Sequence, residues 1–400
     1  MKVNTLLLTS LLAVSLTGCS TVKNTYHKLM ADEGDEIVST AKDGAAPLLK
    51  LKQSIKIKKL WSTSIGDGTD GFYLKLSPVA GDDVIYAAER DGAVMAINIE
   101  TGKRRWKANT KRRVSGGPGH GEGMVLVGTR DGEVLALSDE NGAFLWKAQV
   151  SSEVLSAPKA DLGVVVVRTV DGKAYGLDAT TGKRLWVYER AVPLLTLRGT
   201  SAPQLEDGLA IIGFDGGILS ALDITNGSLV WEKRIAMPTG RSTLDRMVDI
   251  DAEPIIENGI IHVATFQGHV SVVELSSGRI AWVREISSYA GLGIDGDNVY
   301  LSDEESEVWA LERYSGNSVW KQEKLKSRSL TAPVNVGDYV VVGDFDGYLH
   351  WMNREDGSLA GRIRLDSSKI ITTPFVIDDT LYAYSSKGKL AAFKAEELSQ

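Results

Sequence analysis

Apolar and polar positions along the chain fall into short β-type runs that return on a regular beat. Continuous apolar runs such as Val125-Leu-Val127 and Val164-Val-Val-Val167 lead into Asp-Gly, a hairpin signal. Alternating runs such as Val134-Leu-Ala-Leu137 follow and close on Thr-Gly or Asn-Gly, and a fourth segment carries a Trp. The set Asp91-Gly92, Thr101-Gly102, Trp106 recurs as Asp131-Gly132, Asn141-Gly142, Trp146 and as Asp171-Gly172, Thr181-Gly182, Trp186. Looser copies carry Trp231, Trp282 and Trp320; the next has Gly361 at the Trp position, and a last partial copy begins at Lys387-Gly388. Thirteen residues before each Asp-Gly position stands Pro78, Pro118, Pro158, Pro203, Pro254, Leu292, Pro333 or Pro374. Proline at the start of a first strand costs little, because its missing N–H is not needed there. Eight units of 38 to 51 residues, each of four strands, predict an all-β, eight-bladed β-propeller.

The eighth unit stops before its Trp strand, while Lys56-Ile-Lys-Lys-Leu-Trp61 stands upstream of the first complete unit. Residues 56–64 are therefore expected to supply the fourth strand of the last blade, closing the ring and leaving no free end. The propeller then spans residues 56–396 as one domain. The periodic Trp residues are expected to pack between blades. Trp309 and Trp351 fall outside the series and have weaker claims to a surface role.

Composition sharpens this picture. Among 400 residues, 41 Gly and nine Trp suit a turn-rich β protein. A net charge of −7 disfavours general affinity for nucleic acid, and the basic stretches at 103–107 and 111–113 read as a solvated edge. His27, His120, His262, His269 and His350 form no metal-ligand motif, and no nucleophile elbow or phosphate loop is present. His262 and His350 lie in apolar strand patterns and are expected to be satisfied structural imidazoles. The Asp-Gly pairs read as turns rather than paired catalytic carboxylates.

One cysteine excludes an internal disulfide framework. It follows Met1-Lys2, an apolar run from Leu6 to Val14, and Leu16-Thr17-Gly18. Residues 1–18 thus read as an export signal. Leu16-Thr-Gly-Cys19 resembles the bacterial lipobox, which implies cleavage before Cys19 and its lipidation. Ser20 resembles an outer-membrane address. Residues 19–55 read as a lipidated tether with room for a short local helix.

Interruptions of the period carry the remaining information. Five extra residues separate Trp186 from Trp231, and eleven separate Trp231 from Trp282, relative to a period of 40. Both insertions precede a Pro mark, so two neighbouring loops should emerge side by side on one rim. A similar extension precedes Pro78, farther around the ring. The first loop, 192–200, carries Leu194, Leu195, Leu197 and Arg198; the second, 243–251, carries Asp249 and Asp251. Apolar anchors with charges of both signs suit a protein-binding patch. The alternative is that the leucines fold inward and Arg198 pairs with an acidic neighbour.

The repeat, as in Leu177-Asp-Ala-Thr-Thr-Gly182 through Trp186, resembles that of quinoprotein dehydrogenases. Those enzymes commonly add a Cys pair and loops over a quinone cofactor, with acidic and Asn ligands for calcium. This chain has neither a second Cys nor many long loops, so a quinone- or calcium-dependent enzyme or sensor stands as the alternative. Lipobox, tether, eight repeats and N-terminal closure together resemble the BamB family of outer-membrane lipoproteins. Local strings sharpen that likeness: Leu195-Thr-Leu-Arg-Gly199, Asp245-Arg-Met-Val-Asp-Ile-Asp251 and Val342-Gly-Asp-Phe-Asp-Gly-Tyr-Leu-His-Trp351. The resemblance implies a non-catalytic scaffold without cofactor, anchored in the outer membrane with its propeller in the periplasm. It further implies binding to periplasmic POTRA domains of BamA within the barrel-assembly machinery, with nascent outer-membrane proteins as a further partner left open. On this resemblance the BamA-binding residues are Leu195, Leu197, Arg198, Asp249 and Asp251, and Cys19 is lipidated.

Overall fold

The computed structural model describes residues 37–39, 44–69, 71–193, 195–197, 199–239, 241–242 and 246–398. The expected signal and the lipidated Cys19 lie outside them. The described chain forms two units, one up to Leu51 and one from Lys52 onward. In the first, Ile37–Ser39 pairs antiparallel with Leu48–Leu49, so this part of the expected tether is a short two-stranded sheet.

The second unit is eight four-stranded antiparallel sheets. Blade 1 runs from Val79 to Asn109, and the next six follow in order, the seventh ending at Arg364. Blade 8 takes Phe375–Ile377, Thr380–Tyr384 and Lys389–Glu397 from the end of the chain. Its fourth strand is Ile55–Ser64, pairing from Ile55 opposite Glu397 to Ser64 opposite Lys389, one residue earlier than the sequence suggested. Because strands alternate in direction, connections from fourth to first strands share one face with the second-to-third hairpins. The Thr-Gly and Asn-Gly turns lie on the other.

Burial explains the apolar pattern. Second and third strands such as Val164–Arg168 and Ala93–Asn98 are buried almost throughout, being covered by a neighbouring blade on each side. Fourth strands such as Phe144–Gln149 alternate toward solvent. Cores therefore sit between blades: Leu126, Val134, Trp146, Val165 and Tyr175 form one such layer.

Each periodic Trp ties its blade to the next. Trp146 Nε1 donates to the Ala179 carbonyl at 2.7 Å, and Trp106, Trp186, Trp231, Trp282 and Trp320 repeat the bond one blade on at 2.8–2.9 Å. Trp61 on the closing strand donates to Ile99 at 3.0 Å. The ring lies flat against the glycine of the receiving turn: a Cβ on Gly182, whose φ is +70°, would stand 2.5 Å from Trp146 Cε3. Trp and the following Thr-Gly are thus two halves of one contact.

Gly361 completes the rule. Its receiving turn would join the third and fourth strands of blade 8, which come from opposite ends of the chain, so that turn does not exist. Ile55 and Ile57 fill the space instead, and a Cβ on Gly361 would meet both at 2.8 Å. The Ser54 N–H adds a bond to the Ala360 carbonyl at 2.9 Å. The missing Trp is therefore matched to the seam and does not weaken it.

Two histidines separate. His350 is buried and bonded, with Nε2 2.9 Å from Asp344 Oδ2 and Nδ1 accepting from Arg362 Nε at 3.3 Å. His262 is equally buried, but neither ring nitrogen makes a well-formed hydrogen bond, against expectation, although the Ile255 backbone pairs opposite it and Arg313 and Glu257 lie near. Burial, helped by the Arg313 charge, pulls its pKa down from 6.5 to about 4. The unfolded chain therefore takes up this proton first, so stability is full above pH 6.5 and falls as pH drops toward 4, by about 3 kcal/mol. His262→Leu is expected to flatten that fall, measured as urea midpoints at pH 7.5 and pH 5. Trp351 is buried against Phe393, which removes its surface claim, and Trp309 is held by Asp303 through a 2.8 Å bond.

Candidate functional site

Three long connections converge over the channel at the ring's centre. The channel cavity, about 290 Å³, is lined by residues in or just before the first strand of each blade, from Pro78 and Gly117 to Ala332 and Pro374. The two loops predicted to stand side by side do so: Asp249 Oδ2 accepts from the Leu197 N–H at 2.8 Å. The third extension, 66–77, does not stay wholly at its own blade. Leu74 and Leu76 stay in the core of blades 1 and 2, while the Lys75 side chain reaches over the channel mouth and its Nζ donates to the Tyr289 carbonyl, beyond blade 5, at 3.3 Å. Under this strap lies a second cavity of about 440 Å³, walled by Tyr73, Leu155, Leu197, Asp251, Phe266 and Tyr289.

The expected site residues take different positions. Leu195 is 44% exposed, and Leu197 is half-buried on the cavity wall. Leu194 and Arg198 lie outside the described residues. Val192 and Met237 add exposed apolar surface to the same two loops. Asp249 is only 1% exposed, so its carboxylate is turned inward. It accepts from both the Leu197 and Gly216 N–H groups, the latter at 3.1 Å, and its backbone bridges to Asp215. Alternation in Met247-Val-Asp-Ile-Asp251 explains this placement: Val248 and Ile250 enter the core and the two aspartates take the other side, beneath the loops.

Asp249 is thus the clamp that shapes the first loop. Asp249→Ala leaves two backbone donors without an acceptor and is expected to cost about 1–3 kcal/mol. A thermal melt reads that loss, and limited proteolysis should cut earlier within 192–200 than in the wild-type chain.

Asp251 is 7% exposed and faces the cavity, and neither of its oxygens has a partner. Burial raises its pKa to about 6, with Lys75 opposing and Asp249 adding to the shift. Arg168 and Asp215 form a buried ion pair at 3.0 Å nearby. The sequence alone did not single out Tyr73, Lys75, Phe266 or Tyr289; the unusual length before Pro78 was the only signal for Tyr73 and Lys75, and Phe266 and Tyr289 had none.

The channel does not suit a quinone tricarboxylate. Its charged lining is Lys75 against Asp251 and Glu253, one cation facing two carboxylates, where such a ligand needs several cations. Among the described residues no group of His, Cys, Asp and Glu could hold a metal ion.

Comparison with known proteins agrees. The family model described as outer membrane protein assembly factor BamB matches residues 90–322. A curated relative of that description from Pseudomonas aeruginosa is 47% identical over 87% of this chain and 92% of its own. One from Escherichia coli is 34% identical over 97% of this chain and 98% of its own. The crystal structure of BamB from Moraxella catarrhalis superposes with a TM-score of 0.78 at 29% identity, covering 85% of this chain and all of that one. A quinohemoprotein alcohol dehydrogenase from Comamonas testosteroni superposes at 0.65 with 14% identity over 86% of this chain and 78% of its own, a likeness of fold alone. The chain is a propeller that belongs to the BamB family of outer membrane protein assembly factors, which are not enzymes.

Proposed function

We propose that this protein is a scaffold of the outer-membrane barrel-assembly machinery, held to the membrane by lipidated Cys19 with its propeller in the periplasm. Its rim at 71–76, 192–200 and 246–251 receives the periplasmic POTRA domains of BamA and so assists the assembly of β-barrel proteins. The observation that carries this reading is the convergence of three long connections on one rim. There, Leu195 stays in solvent while Asp249 braces the loop beneath it. An exposed apolar anchor on a loop stiffened from below has the build of an interface hot spot. Asp249 contributes by shaping the loop, and Leu195 and Leu197 supply apolar contact. Arg198 stands beside them in the sequence as the charged member of the patch.

The test is binding of the full chain, purified in detergent, to purified BamA POTRA domains. Leu195→Glu is expected to weaken binding at least tenfold with an unchanged melting temperature. No binding by a folded wild-type chain would overturn the reading.

A further inference from the structure

The cavity under the strap holds one charge that the protein leaves unanswered. Six charged groups gather there among the described residues: Asp215, Asp249, Asp251 and Glu253 against Arg168 and Lys75, Glu253 being exposed and within 3.5 Å of the Gln204 amide. Asp215 has Arg168 as its partner, and Asp249 has two backbone N–H groups. Lys75 spends its bond on the Tyr289 carbonyl. Asp251 alone has none, although it is more than nine-tenths buried. A carboxylate buried without a partner costs stability that an asparagine would not, and such groups cluster where a ligand completes them. The surroundings define that ligand. Tyr73 and Tyr289 offer aromatic faces, Leu197 and Leu155 offer apolar wall, and the acidic group lies at the base. This arrangement suits a long aliphatic stem ending in a cation.

We propose that the strapped cavity seats a single lysine or arginine side chain of the protein partner, its cation on Asp251 and its stem between Tyr73, Tyr289 and Leu197. The inference rests on the partner-binding reading above and adds the chemistry of its central contact. Tyr73 becomes part of the interface, and the strap, which is remote in sequence from both loops, joins the recognition surface. The seated cation offsets part of the excess negative charge of the cluster, at the carboxylate that has no partner of its own.

The experiment compares Asp251→Asn and Tyr73→Ala with wild type, using the full chain in detergent and purified BamA POTRA domains. Asp251→Asn is expected to keep or raise the melting temperature, because the orphan charge is gone, yet to weaken binding at least tenfold. That opposite movement separates recognition from a structural role, in which stability and binding would fall together. Tyr73→Ala, at an exposed position, is expected to weaken binding severalfold without a change in melting temperature. Wild-type binding should also weaken as pH falls from 7.5 to 5.5 and Asp251 takes up a proton, with Lys75, Arg168, Asp215, Asp249 and Glu253 around it. That dependence should be lost in Asp251→Asn. One Lys→Ala or Arg→Ala variant of the POTRA domains should lose affinity for wild type but not for Asp251→Asn. Equal binding by wild type and Asp251→Asn would overturn this inference and leave the adaptor reading standing. Failure of a folded wild type to bind would instead overturn the adaptor reading.

Discussion

A chain lacking residues 52–64 is expected not to fold cooperatively. The deleted segment contains the whole fourth strand of blade 8, paired from Ile55 opposite Glu397 to Ser64 opposite Lys389. It also carries Trp61, whose indole bonds to Ile99 and covers the turn of blade 1, and Ile55 and Ile57, which fill the space beside Gly361. Two of the eight interfaces between blades are therefore opened by one deletion, and Lys389–Glu397 becomes a bare edge. An unpaired edge of that length is a template for association between chains. The expected readouts are loss of near-UV circular dichroism and aggregation. Adding a peptide of residues 52–66 in trans should restore part of the signal, since closure is held by hydrogen bonds and packing rather than by a covalent link.

Asp344→Ala carries the second large effect, in blade 7. Asp344 is fully buried and is the hub of a polar network. Its Oδ2 accepts from Arg328 Nε at 2.8 Å and lies 2.9 Å from His350 Nε2, while Oδ1 accepts from the Asp346 and Tyr348 N–H groups, both at 2.9 Å. Burial pushes its pKa up, but the His350 bond, the His350 and Arg328 charges and the Tyr348 N–H outweigh it and hold the carboxyl below its ordinary 3.8. Removing the carboxylate leaves Arg328 with Asp346, at 2.8 Å, as its remaining carboxylate partner and takes the acceptor away from the Asp346 and Tyr348 N–H groups and from His350, which costs about 3 kcal/mol. A urea titration should show a lower midpoint with an unchanged slope. A midpoint equal to wild type would mean that Asp346 alone holds Arg328 and that the freed N–H groups find other acceptors.

The architecture was legible because it repeats. Thr-Gly and Trp stand at constant spacing since they are the two halves of a contact made at seven of the eight blade junctions, the Asp-Gly hairpin recurs with them, and the many copies average out the irregular ones. Closure was legible for the same reason: Trp61 had no unit of its own. The site was only partly legible. Loops 192–200 and 243–251 could be placed together because the same connection type in adjacent blades emerges on one rim. The strap could not, since nothing local to Tyr73 or Lys75 records that the Lys75 side chain reaches over the channel to Tyr289. The two aspartates also looked equivalent at alternate positions, and the structure separates them. Asp249 is satisfied by backbone donors from two loops, whereas Asp251 faces a cavity with no donor of its own. Which carboxylate meets a donor depends on long-range packing, which period and composition do not encode. Likewise His262 and His350 share an apolar strand setting, yet only His350 has an aspartate six residues upstream at bonding distance.

The most direct test of the central claim is hydrogen–deuterium exchange of the full chain with and without purified BamA POTRA domains. Slowed exchange confined to 71–76, 192–200 and 246–251, with the Thr-Gly turns of the opposite face unchanged, is the predicted result. Protection centred on those turns or on the outer strands, with the three long connections unaffected, would contradict it.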